Sequence, residues 1–213
     1  MGDAVKRTYR SALREAQAHD TRRAVVAAAA LLFVERGYGA TTIDAVAAAA
    51  GVSRKTVFTT VGGKLDLLKT AIDWAVAGDA DRGTVAGHEL RPALAADDPV
   101  EVLQGCAGAI GRINARAAAL VGALDAAAGA DPAARDLAET GQRARLADAR
   151  TIVDRLHALG ALTGDLTRDE AVDVVWLATD PALFDRLVRV RGWSPDRFQQ
   201  WLGDSLAGAL LGR

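Results

Sequence analysis

Thr41-Thr-Ile-Asp-Ala-Val-Ala-Ala-Ala-Ala-Gly51-Val-Ser53-Arg-Lys-Thr-Val-Phe-Thr-Thr-Val-Gly-Gly-Lys64 reads as two short helices joined by a tight turn. Ile43, Val46 and Ala47 form an apolar i, i+3, i+4 set, and Thr41 or Thr42 can cap the helix that carries them. Gly51 ends that helix, because glycine alone takes the left-handed conformation beyond a helix terminus without a steric penalty. Val52 can plug the gap between the helices, and Ser53 is a good N-cap for a second helix reaching Thr60. That helix carries Arg54, Lys55, Thr56 and Thr59 and no acidic residue. A short, basic, hydroxyl-rich second helix suits the DNA major groove. Arg and Lys donate to guanine edges or phosphates, and Thr bonds a base or touches a thymine methyl. The plainer alternative is a helical hairpin with a solvated basic face.

The rest of the chain narrows the choice. Of its 213 residues half are apolar and a quarter charged, which suits a packed core. Abundant alanine and short β-branched runs favour an all-helical protein. Cys106 is the only cysteine, so no internal disulfide can form, and no Cys/His cluster has metal-ligand spacing. No cofactor and no metal are therefore expected. The N-terminus lacks a signal-peptide core, and the longest apolar run, Ala24 to Val34, spans 11 residues, too few for a bilayer. A soluble cytoplasmic protein is expected. The net charge of −1 hides an asymmetry: residues 1–64 carry 10 Lys+Arg against 5 Asp+Glu, and residues 65–213 carry 16 against 22. A polyanion partner at one end is implied.

Residues 1–20, with Lys6, Arg7, Arg10 and Arg14, read as a loose basic arm or a frayed helix, either a disordered tail or an added DNA contact. Thr21 to Arg36 is a helix with Val25, Ala28, Ala29, Leu32 and Phe33 at helical spacing and Gly37 at its end. A further helix runs from Lys64 to about Val76, and its N-terminus offers Lys64 and backbone N–H groups to a phosphate.

Residues 21–76 resemble the DNA-binding domain of the TetR family of bacterial transcription regulators. The matching residues include Val25-Val26, Leu32-Phe33, Gly37-Tyr38, Thr41-Thr42, Val46-Ala47, Ala50-Gly51-Val52-Ser53, Thr56-Val57-Phe58, Lys64 and Leu67-Leu68. The resemblance implies that Thr42 and Lys64 bond phosphates and that Ser53, Arg54, Lys55, Thr56 and Thr59 face the groove. Phe58 stands where the family usually has Tyr, so a phenolic phosphate contact is absent. Thr60 and Val61 replace a usual aromatic pair. These losses weaken anchoring by about 1 kcal/mol per hydrogen bond.

Residues 79–99 are polar and contain His88, and they read as a connection. Val100 to Ala128 is one long or broken helix whose Gly105, Gly108, Gly111 and Gly122 permit close packing or a bend. Cys106 lies on its apolar face, either inert or redox-active. Arg112 and Arg116 either point into a cavity, toward an acidic ligand, or lie on the surface. Asp131-Pro132 opens a helix to Leu159, Thr167 and Glu170 form a capping box, and Asp180-Pro181 and Ser194-Pro195 open the last two helices. Residues 191–202 resemble the C-terminal dimerisation helices of many TetR-family members.

The expected architecture is all-α: a three-helix DNA-binding domain over residues 21–78, with the helix-turn-helix at about 42–61, and a ligand-binding and dimerisation bundle over residues 79–213. Trp74, Arg116, Trp176 and Phe184 are candidate ligand contacts. Val175, Leu187, Phe198, Trp201 and Leu202 are candidate dimer contacts. The expected partners are a double-stranded DNA operator, a small-molecule effector and a second copy of the chain, with no membrane. A ligand-independent architectural protein is the alternative. A helical-bundle enzyme would need a phosphate loop, metal cluster or nucleophile–base pair, and none is visible.

Overall fold

The computed structural model describes residues 2–78 and 87–212, with side chains at 15–78 and 89–212. Its elements are α1 (Gly2–Ala40), α2 (Ile43–Ala50), α3 (Arg54–Thr60), α4 (Lys64–Ala77), α5 (Gly87–Leu94), α6 (Pro99–Ala128), α7 (Pro132–Ala158), α8 (Arg168–Ala178), α9 (Pro181–Phe184, continued by a π-helical turn at Asp185–Val190) and α10 (Pro195–Leu211). No strand occurs among the described residues.

The chain divides into two compact units, Met1–Ile72 and Asp73–Arg213. In the first, α2 packs on α1 and α3, and α3 on α1. Its buried apolar residues are Val25, Val26, Ala29, Leu32 and Phe33 of α1, Val46 and Ala47 of α2, Val57 of α3, and Leu67, Leu68 and Ala71 of α4. Helix α1 does not begin at Thr21: it runs through the segment read as an arm. Residues 3–18 hold good helix formers and neither Gly nor Pro, so nothing local stops it. The side chains of Lys6, Arg7, Arg10 and Arg14 lie outside the described residues.

The second unit is built on α6, which packs against α5, α7, α9 and α10. Val102, Leu103, Cys106, Ile110, Ile152, Leu156, Phe184, Phe198, Leu202 and Leu206 belong to its core. Four helices there share one start signal. Asp98, Asp131, Asp180 and Ser194 each accept a backbone N–H at the N-cap, with proline as the next residue. Thr167 and Glu170 close the expected capping box.

The segment read as a connection is partly helical. Helix α5 forms despite Pro92 because burial of Leu90 in the core outweighs local propensity. Helix α6 is unbroken, and its glycines are not equivalent. A Cβ on Gly105 would lie 2.7 Å from Ala93 Cβ and 3.2 Å from its Cα, whereas one on Gly122 would meet nothing within 4 Å. The same substitution should therefore have opposite signs along one helix. Gly122→Ala is expected to stabilise by about 1 kcal/mol. Gly105→Ala is expected to destabilise by roughly 1–3 kcal/mol, because it drives α5 away from α6. Urea unfolding of the two variants checks both.

Candidate nucleic-acid interface

The end of α1 fixes where the reader begins. Gly37 breaks the helix with φ 73°, and the buried Thr41 hydroxyl lies 2.8 Å from Gly37 O and 3.0 Å from Leu32 O. Thr41 thus fastens the end of α1, and the capping role goes to Thr42, whose Oγ1 accepts the Ala45 N–H at 3.1 Å. The Thr42 hydroxyl proton remains available to a phosphate.

Helix α2 ends as the turn requires. Gly51 is left-handed, with φ 68° and ψ 29°. Its N–H reaches Ala48 O, and the Val52 N–H reaches Ala47 O at 3.0 Å. Ser53 then caps α3, with Oγ accepting the Thr56 N–H at 3.0 Å and lying 2.8 Å from Thr56 Oγ1. One proton is spent between these two hydroxyls and the other stays free. Thr59 Oγ1 lies 3.1 Å from both Lys55 O and Thr56 O. With its only proton used on its own helix, Thr59 offers DNA a lone pair and a methyl group.

Only Val57 of α3 is buried. Ser53, Arg54, Lys55, Phe58 and Thr59 are exposed and Thr56 is partly so. Arg54 Nη1 lies 2.8 Å from Asp44 Oδ2, and its guanidinium carbon is 5.7 Å from the Phe58 ring centre. Lys64 is anchored at the start of α4: Nζ donates to Gly39 O at 3.2 Å and sits 4.3 Å from the centre of the Tyr38 ring. Partial burial lowers its pKa. Two of its three donors remain for a phosphate. The Gly63 N–H, just ahead of α4, is taken by Asp66 Oδ2 at 2.8 Å. Sequence reasoning missed Arg22, whose Nη1 donates to Thr60 O at 2.9 Å and ties α1 to the end of the reader. It also missed Asp44. Both contacts join residues far apart in the chain, which no local pattern signals.

The candidate contacts of the second unit are redistributed. Arg116 is engaged within its own chain. Its Nε donates to Ala75 O at 2.7 Å, and Nη2 pairs closely with Glu89, so the chain supplies its own carboxylate. Phe184 is core, edge-to-face with Phe198 at 5.0 Å. Trp74 is partly buried. Trp176 is also partly buried, with the Arg145 guanidinium 5.5 Å from its ring centre. Trp176 Nε1 and Arg145 Nη1 are buried without a hydrogen-bond partner, while Arg145 Nη2 holds Asp180 at 2.8 Å.

Of the candidate dimer contacts, Val175, Phe198 and Leu202 are fully buried in their own chain: α8, which carries Val175, packs on α7 and α10, and the apolar stripe of α10 faces α6. Leu187 and Trp201 are only partly buried. The large apolar side chains turned outward on these elements are Leu177, 68% exposed, and Val190, 74% exposed. No helix among the described residues is long and apolar enough to cross a membrane, and none of their His, Cys, Asp and Glu side chains group in a way that could hold a metal ion. His88 lies outside the described side chains.

A helix pair joined by a left-handed glycine, its second helix capped by Ser53 and buried through one valine, defines a helix-turn-helix domain. Residues 25–71 match the family of bacterial regulatory proteins named for tetR. This domain belongs to the TetR family of DNA-binding transcription regulators, and the whole chain has the fold of such regulators. A TetR-family regulator structure from Rhodococcus sp. is 16% identical, with a TM-score of 0.68, covering 90% of this chain and 98% of that one. NalD of Pseudomonas aeruginosa, the secondary repressor of the MexAB-OprM multidrug efflux pump, is 19% identical with a TM-score of 0.66 (90% and 95% covered). The SmeT–triclosan complex is 17% identical with a TM-score of 0.70 (90% and 91% covered). No curated protein matches the chain.

Cys106 is fully buried in the α6 core, and desolvation pushes its thiol up to about 12. The thiolate is the reactive form, so iodoacetamide at pH 8 is expected to label the folded protein on the order of 100-fold more slowly than the urea-unfolded chain. Comparable labelling rates in the two states, read by mass spectrometry, would contradict a purely packed thiol.

Proposed function

We propose that this protein is a homodimeric repressor that reads a pseudo-palindromic operator with α3 and releases it when a small molecule binds the second unit. The observation that carries the reading is the surface of α3: five of the eight residues Ser53–Thr60 expose hydroxyl, cationic or aromatic groups, Thr56 and Thr60 are partly exposed, and Val57 holds the helix down. Arg54 and Lys55 reach base edges or phosphates, Ser53 and Thr56 share one free proton, and Thr42 and Lys64 clamp the backbone on either side. Two readers about 34–36 Å apart would engage successive major-groove faces.

NalD is a repressor and SmeT is a triclosan complex, which supports repression and an apolar effector for this chain. The effector is placed beside Trp176 and Arg145, where two buried donors lack acceptors. An aromatic compound carrying an acceptor group would satisfy them. The dimer face is assigned to Leu177, Leu187, Val190 and Trp201.

A duplex selected from a randomised library tests the reading. The protein is expected to bind it at least ~1000-fold tighter than scrambled DNA, with a steep salt dependence. Equal, weak binding to both would overturn the proposal. Lys64→Ala is expected to weaken both DNAs alike and to reduce the salt slope by about one. Leu177→Glu should yield monomers in sedimentation with unchanged helicity, and intact dimers would move the interface elsewhere.

A further inference from the structure

We infer that Asp44, on α2, is a specificity-determining residue of the reader that acts by positioning Arg54. The inference rests on the DNA-reading role proposed for α3. Arg54 is the first residue of that helix after its Ser53 cap, at the end that meets base edges in helix-turn-helix proteins. Its guanidinium is held between two groups. Asp44 Oδ2 is 2.8 Å from Nη1, and the Phe58 ring, one turn further along α3, lies 5.7 Å from the guanidinium carbon. Asp44 comes from the other helix of the pair, ten residues earlier and across the Gly51 turn. Guanidinium has five N–H donors and Asp44 engages one nitrogen, so a guanine O6/N7 pair can still be met without breaking the contact.

The side chains of Asp44 and Arg54 are 67% and 60% exposed. An ion pair this exposed contributes little to folding. Its consequence lies at the surface that DNA approaches. Swinging Arg54 to an arbitrary phosphate breaks the pair and leaves the Asp44 carboxylate facing a like charge. A base-edge contact keeps the pair and the cation between its two neighbours. Asp44 therefore penalises sequence-independent contacts of Arg54 more than the specific one, which discriminates by disfavouring the wrong partner. Phe58 contributes to the same end. Without the phenolic hydroxyl usual at its position, its exposed ring serves as a platform for the guanidinium.

Asp44 also lies in the first turn of α2, where a carboxylate suits the helix dipole. The experiment separates that role from the proposed one with a double-mutant cycle in the full chain. Affinities for the duplex selected by the wild-type protein and for scrambled DNA are measured for wild type, Asp44→Asn, Arg54→Ala and the double variant, with helicity checked by circular dichroism. Asp44→Asn is expected to tighten scrambled-DNA binding by about 3- to 5-fold and to reduce the ratio of selected to scrambled affinity by a similar factor. In the Arg54→Ala background the same change should leave the ratio unaltered. Asp44→Glu, which keeps the charge, should retain most of the wild-type ratio. An unchanged ratio for Asp44→Asn, or an equal change with and without Arg54, would overturn the inference while leaving the reader assignment intact. Failure of the wild-type protein to select any duplex would remove both.

Discussion

One buried valine orients the helix proposed to meet DNA. Helix α3 is seven residues long, too short to persist alone in water. It exists because Val57 is removed from solvent in a core that also contains Val46, Ala47 and the apolar side of α1. Burying one such side chain is worth roughly 1.5–3 kcal/mol. The Ser53 cap and the Arg22–Thr60 contact add to it at the two ends. Every outward group on α3 inherits its direction from that anchorage.

Local satisfaction then decides what each group can offer. The reader surface is rich in hydroxyls, yet several of their protons are already used within the protein. Thr59 turns into an acceptor and a methyl contact, whereas Thr42 keeps a donor. Lys64 gives one donor to Gly39 and keeps two. The chemistry presented to DNA is narrower than the residue types suggest, and narrow chemistry favours selectivity over affinity. The charge asymmetry of the sequence fits the same reading, since its N-terminal third is net basic and the remainder net acidic.

Much of this was legible in the chain itself. Gly51 and Ser53 each had one local role open to them and the structure uses them so, while the cap left open between Thr41 and Thr42 falls to Thr42. The Asp-Pro and Ser-Pro starts and the Thr167–Glu170 box were readable for the same reason: capping is local chemistry. What sequence did not reveal depends on tertiary contact. The α10 stripe of Phe198, Leu202 and Leu206 declared itself buried, but a stripe cannot say whether its cover is another helix of the same chain or a second copy; here the cover is α6. Helix α5 formed against its own proline because a core leucine demanded it. Asp44 and Arg54 sit ten residues apart on different helices, so only the folded turn brings them together. The continuation of α1 through residues 2–20 was left open between a loose arm and a helix, because their good helix propensity competes with their charge.

Amide hydrogen exchange of the full chain, with and without its selected duplex, tests the central claim most directly. If α3 is the reader, DNA will slow exchange most strongly across residues 53–64 and at the start of α2, with the buried α6 core unchanged. Protection confined to the second unit, or absent altogether, would contradict the assignment of the DNA interface to this helix.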